Sequence, residues 1–117
     1  MDLNRIVDRL KAHQDYTKMG MIAGHLGVVR GNSLEGGNVK AIEVTFDEDA
    51  ISRVIGEIKK MPGIVEVVIE TCGGRLEVGE EIMAVVVGGD TREHVFPALI
   101  AAVDRIKKEA SNKREIF

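Results

Sequence analysis

Lys107, Lys113, Arg30 and Arg92 are among the side chains of this sequence whose type could hold a small anion or move a proton beside it. From Arg105 onward there are five basic residues, Arg105, Lys107, Lys108, Lys113 and Arg114, against two acidic ones, Glu109 and Glu115. The whole chain has a formal net charge of −3. A basic end on an acidic body is a candidate site for a small anion or for the acidic end of a partner. Lys107 follows Val103 by one helical turn, at the edge of an apolar stripe. It reads either as a snorkelling surface lysine or, if partly buried beside other cations, as an acid, base or nucleophile. Lys113 falls in a tail expected to be irregular. Arg30 ends an apolar run and opens a glycine-rich stretch. It reads either as a solvated strand-end charge or as an anion clamp, since a guanidinium offers paired planar donors. Asp90-Thr91-Arg92-Glu93-His94 opens a helix. Asp90 or Thr91 can cap it, or its backbone N–H groups and Arg92 can hold a phosphate.

Other reactive types give less. Cys72 is the single cysteine, with no partner for a disulfide or a CxxC site, and is expected to be a small buried residue at a strand end. His13 and His25 lack partners at ligand spacing, so no metal site is expected. No phosphate-loop, nucleophile-elbow or cofactor fingerprint occurs. With no Trp, one Tyr and three Phe, the chain lacks the aromatic platforms on which base stacking depends. The negative net charge also disfavours duplex binding. The start has no apolar signal-peptide core and no apolar run approaches 18 residues, so a soluble, cytoplasmic protein is expected.

The elements that must position these residues follow from periodicity. Residues 1–117 suit a single domain. Ile6, Val7 and Leu10 lie on one face of a helix over about residues 3–14. Met19 to Arg30 reads as a strand with glycines at close approaches, and residues 31–38 as a loop. Val39 to Phe46 alternates as a strand does. Asp47 or Asp49 caps a helix with the stripe Ile51, Val54, Ile55 and Ile58, stopped by Pro62-Gly63. Ile64–Ile69 is a strand, residues 73–80 a turn-rich excursion, and Ile82–Val87 an apolar strand suited to a sheet's centre. The last helix spans about Arg92 to Glu109, with Pro97 near its first turn or kinking it. The order α-β-β-α-β-β-α predicts an α+β fold, with helices on one face of a mainly antiparallel sheet.

Taken together, the segments resemble a known family. Gly20-Met21-Ile22-Ala23-Gly24-His25-Leu26-Gly27-Val28-Val29-Arg30 resembles the "GA-apolar-x-x-F-x-G-x-V-R" segment of the large, catalytic subunit of molybdopterin synthase (MoaE family). Gly74-Arg75-Leu76-Glu77-Val78-Gly79-Glu80 resembles its "G-x-L-x-x-G-E". Thr91-Arg92-Glu93-His94-Val95-Phe96 resembles "H-R-x-x-A-F". Asp104-Arg105-Ile106-Lys107, then Lys113-Arg114-Glu115, resemble "D-x-x-K" and "W-K-x-E". The matches fall in order over roughly residues 19–115. Thr91 stands where the family has histidine, and Thr71-Cys72 where it has "H-R".

The resemblance implies an α/β hammerhead fold, a homodimer, and a small ubiquitin-like sulfur-carrier subunit (MoaD-like) whose C-terminal Gly-Gly tail bears a thiocarboxylate. It implies conversion of cyclic pyranopterin monophosphate (precursor Z) to molybdopterin by installing a dithiolene. Lys107 and Lys113 then match the two active-site lysines, with Arg114 as the alternative to Lys113. Arg30 and Arg92 match the arginines lining the pocket, with Thr91 beside them. A non-catalytic relative that binds a pterin phosphate or a carrier without turnover is the alternative, and a small-ligand regulatory domain of ferredoxin-like topology a third reading. Few aromatics cover strands such as Ile82–Val87, and an exposed sheet edge invites pairing, which also points to a homodimer.

Overall fold

A computed structural model describes residues 1–117. Asp2 opens α1 (Leu3–Lys11) by accepting hydrogen bonds from the N–H groups of Asn4 at 2.9 Å and Arg5 at 3.4 Å, which satisfies two otherwise orphaned donors. A 3₁₀ turn at Tyr16–Lys18 leads to β1 (Met21–Val28), and a long loop leads to β2 (Ala41–Phe46). Asp47 caps α2 (Glu48–Lys59), accepting from the Ala50 N–H at 3.2 Å. Then come β3 (Ile64–Thr71), β4 (Gly74–Glu77), β5 (Glu81–Gly89) and α3 (Arg92–Arg105). A π-helical turn at Ile106–Ala110 joins α3 to β6 (Ser111–Ile116).

The strands form two three-stranded antiparallel sheets, ordered β1-β5-β3 and β4-β2-β6. The α+β class and the antiparallel pairing expected from the sequence hold. Five residues of the β5 run, Met83 to Val87, are nearly inaccessible, as a strand paired on both sides and covered on both faces requires. Alternation along β5 and β3 divides the packing. Val67, Met83, Val85 and Val87 meet α2 and α3 through Val54, Ile58, Val95 and Ala102. Val68, Ala84 and Val86 meet Ile6 and Leu10 of α1 on the opposite face. The two longer helices thus share one face as expected, and the short α1 takes the other. Burying side chains such as Ile6 and Leu10, both wholly inaccessible, is worth about 1.5–3 kcal/mol each.

Four local expectations are corrected. The tail around Lys113 is not irregular: β6 pairs with β2 from Ala41↔Ile116 to Phe46↔Ser111. The turn-rich excursion contains a true strand, β4, on the other edge of β2. Because β5 lies at the centre of its sheet, it offers no free edge for dimer pairing; the edges are β1 and β3. Cys72 is exposed rather than buried. Pro97 lies in the second turn of α3, where its ring forfeits one helical hydrogen bond. Gly63, at φ +78°, ends the approach to β3; a side chain there would strike Asp90 and His94.

Candidate functional site

The two sheets and the end of α3 enclose a cavity of about 780 Å³. Its floor is apolar, formed by Ile42, Val44 and Phe46 of β2 with Ile82 and Met83 of β5. Its charged groups come from three separate segments: Arg30 just beyond β1, Lys107 in the π turn, and Lys113 with Glu115 on β6. His25 of β1 completes the polar wall.

Local chemistry fixes each of these groups. The π turn interrupts regular helical bonding immediately after Arg105 and turns the chain back into β6. The Ala110 carbonyl accepts from the Asp47 N–H at 2.8 Å, and Ser111 Oγ donates to the Lys107 carbonyl at 3.0 Å. Ile106, wholly buried, pins the turn to the core beneath α3. Such turns recur at functional sites because they re-aim one side chain without breaking the helix. On β6 the period of two places Ser111, Lys113 and Glu115 toward the cavity, and Asn112 and Arg114 away from it. Arg30 is held by its own Nε, which donates to the Asn32 carbonyl at 2.9 Å. Glu115 accepts from Ser33 Oγ at 2.8 Å.

Of the six candidate residues, the structure gathers three. Arg30, Lys107 and Lys113 line one cavity, and none of them forms an ion pair. Lys107 is exposed rather than partly buried, so its ammonium keeps access to entering solutes. Arg114 is on the opposite face of β6, where it donates to Glu43 at 2.7 Å. That hydrogen bond, and then the guanidinium charge, holds the Glu43 carboxyl below its ordinary range. Of the two alternatives, Lys113 lines the cavity and Arg114 does not.

Arg92 and Thr91 are elsewhere. They begin α3, and Lys107 lies fifteen residues on, roughly 22 Å along the axis at 1.5 Å per residue. Arg92 Nε contacts Glu93 at 3.6 Å. Thr91 takes the capping position but its side chain makes no capping bond. Instead Asp90 Oδ1 accepts from the Thr91 N–H at 2.6 Å and from His94 Nδ1–H at 2.8 Å, and the His94 bond is the main reason the Asp90 carboxyl sits below its usual range. In this chain the helix start is a polar cluster separate from the cavity.

The cavity residue that sequence reasoning passed over is His25. Burial, and after it the charge of Lys107, lowers its imidazole below the ordinary histidine value. The available signal was alternation: Met21, Ala23, His25 and Gly27 share one face of β1, and a histidine in that apolar series is out of type. It also stands where the quoted family segment has phenylalanine.

Comparison with known proteins identifies the family and agrees with the fold. The model of the family described as MoaE protein matches residues 1–109. Among solved structures, the Molybdopterin biosynthesis MoaE protein from Burkholderia ambifaria MC40-6 is 28% identical, with TM-score 0.78 over 99% of this chain and 82% of that one. Molybdopterin cofactor biosynthesis protein E from Burkholderia multivorans ATCC 17616 is 28% identical, with TM-score 0.79 over 100% and 77%. The complex of subunits 1 and 2 of molybdopterin-converting factor from Helicobacter pylori 26695 shares the fold at 14% identity, TM-score 0.73, over 98% and 78%. No curated protein sequence matches. With a family match spanning all but the last eight residues, the chain belongs to the MoaE protein family.

Proposed function

We propose that this chain is the sulfur-transferring large subunit of a molybdopterin synthase, which takes sulfur from a thiocarboxylated small carrier and installs it on cyclic pyranopterin monophosphate. Family membership and the Burkholderia relatives support a role in molybdenum cofactor biosynthesis. The observation that carries the finer reading is the convergence of Arg30, Lys107 and Lys113 on one apolar-floored cavity. Its volume of about 780 Å³ lies in the range of small-molecule sites.

The substrate's phosphate and the carrier's terminal thiocarboxylate are both anions, and a cavity with three unpaired cations meets that demand. Arg30 supplies directed donors for the phosphate. Lys107 protonates the oxygen that leaves as the thiocarboxylate sulfur bonds to the substrate carbon, and water then cleaves the resulting thioester to the carrier's carboxylate and the product's thiol. Lys113, on β6, balances the second anion. A positioned acid or base of this kind contributes roughly 10²–10⁴-fold. The Helicobacter relative, described as a complex of two subunits, supports a carrier partner here.

Arg92 and Thr91 join this site only if a second copy of the chain delivers its α3 start to the cavity. We therefore place them as the partner copy's contribution in a homodimer. The test is complementation: Lys107→Ala and Arg92→Ala proteins, each inactive alone, are mixed and allowed to exchange subunits. A hybrid dimer keeps one intact site of two, so random exchange restores about a quarter of wild-type activity. A mixture as inactive as its components, with subunit exchange verified by mass spectrometry, would remove Arg92 from the site.

The non-catalytic alternative draws on Thr91, a non-imidazole side chain with no capping bond. It is separated by assaying the wild-type protein with thiocarboxylated carrier and precursor Z. Dithiolene product supports the enzyme; carrier binding without product supports the binder.

A further inference from the structure

One titratable side chain of the cavity is left without a task by the sulfur-transfer reading. His25 lies on the face of β1 that meets α3, beside Met21 and Ala23, and lines the cavity with Lys107. Its Nε2 is buried and has no hydrogen-bond partner. Native structures leave few polar atoms in that condition, and such atoms commonly await a water, an ion or a ligand. The charged groups facing it are Lys107 from the π turn, Arg30 from beyond β1, and Lys113 and Glu115 from β6; β2 and β5 contribute only apolar side chains. The chain's other imidazoles are engaged elsewhere, His13 with Glu66 and His94 with Asp90.

We propose that His25 is an anion-linked proton acceptor: when a dianionic group enters the cavity beside Lys107, the imidazole takes one proton from solvent and donates a ring N–H to that anion. No other bond is made or broken. The cavity presents three cations against the single carboxylate of Glu115, and a fourth cation is opposed by burial and by the Lys107 ammonium, the two causes that lower the His25 imidazole. A bound dianion reverses the sign of the local field and supplies the missing partner, so the protonated form becomes favourable. The sign of the linkage follows. The free site protonates only below its lowered value, and the occupied site at a higher one. Between the two, anion binding takes up a proton, and affinity weakens as pH rises, up to tenfold per pH unit. Above the occupied-site value affinity no longer changes with pH.

The proposal rests on the reading of the cavity as an anion site, and the test separates the two. Inorganic sulfate is the probe, because it stays dianionic between about pH 5 and 8. Calorimetric titration of the full chain with sulfate, in two buffers of different ionisation heat, should show net proton uptake at pH values between the free-site and occupied-site values of His25, and affinity should fall as pH rises through that range. His25→Gln and His25→Phe should bind sulfate with no uptake and a flat pH profile. The ring C–H resonance of wild-type His25, assigned by its loss in His25→Gln, should titrate below the ordinary histidine value without sulfate and move upward with it. Sulfate binding without proton uptake, or uptake that persists in His25→Gln, overturns the role of His25 and leaves the anion site standing. Absence of sulfate binding at low ionic strength overturns both.

Discussion

At the N-terminal end of α3 the polar side chains are engaged with one another, Arg92 in an ion pair with Glu93 and His94 in a hydrogen bond with Asp90. At the C-terminal end, Lys107 and Lys113 have no such partner, and they share a cavity with Arg30. Even within the basic tail the contrast repeats. Arg105 donates to Glu109 at 2.7 Å and Glu57 at 2.9 Å, and Arg114 to Glu43 at 2.7 Å, whereas the lysines between them stay unpaired. Charge abundance alone therefore does not locate a site. An exposed ion pair contributes little and presents little field, while an unpaired cation against apolar walls keeps its attraction for an incoming anion.

Experiments that remove one side of this contrast should differ in size. The largest loss is expected from Lys107→Ala, roughly 10²–10⁴-fold in dithiolene formation. Ile106→Ala comes next. Truncating a wholly buried residue in the turn that aims Lys107 should cost about 2–5 kcal/mol in urea denaturation, and the loosened turn should lower activity as well. Unchanged stability would mean that the turn is held by something other than its packing. The smallest effect belongs to Arg114→Ala, which removes an exposed pair on the far face of β6. Its melting temperature and its activity should both stay close to wild type, and an activity loss comparable to that of Lys107→Ala would return Arg114 to the site in place of Lys113.

Much of the framework was legible from local pattern. The run Ile82–Val87 announced a central strand, Ile51, Val54 and Ile58 announced the inner face of α2, and Pro62-Gly63 its end, because each signal is contained within a few residues. β6 was not legible. Ser-Asn-Lys-Arg-Glu-Ile has little strand propensity and becomes a strand only by pairing with β2, more than sixty residues earlier. The same pairing decides between Lys113 and Arg114, since a one-residue step reverses the face. Spacing could weigh His25 only as a metal ligand, for a related reason: its place beside Lys107 is a neighbourhood in space alone. Arg92 was correctly placed at a helix start, but sequence order does not show that this helix start lies far from the cavity that Lys107 lines.

Lys107 and Lys108 provide the most direct test of the central claim, being adjacent lysines of equal charge in one turn, of which only Lys107 lines the cavity. Single-turnover dithiolene formation should be measured with thiocarboxylated carrier for Lys107→Ala and Lys108→Ala side by side. The account predicts a loss of roughly 10²–10⁴-fold for the first and a near wild-type rate for the second. Equal rates for the two variants, whether both fast or both slow, would contradict it.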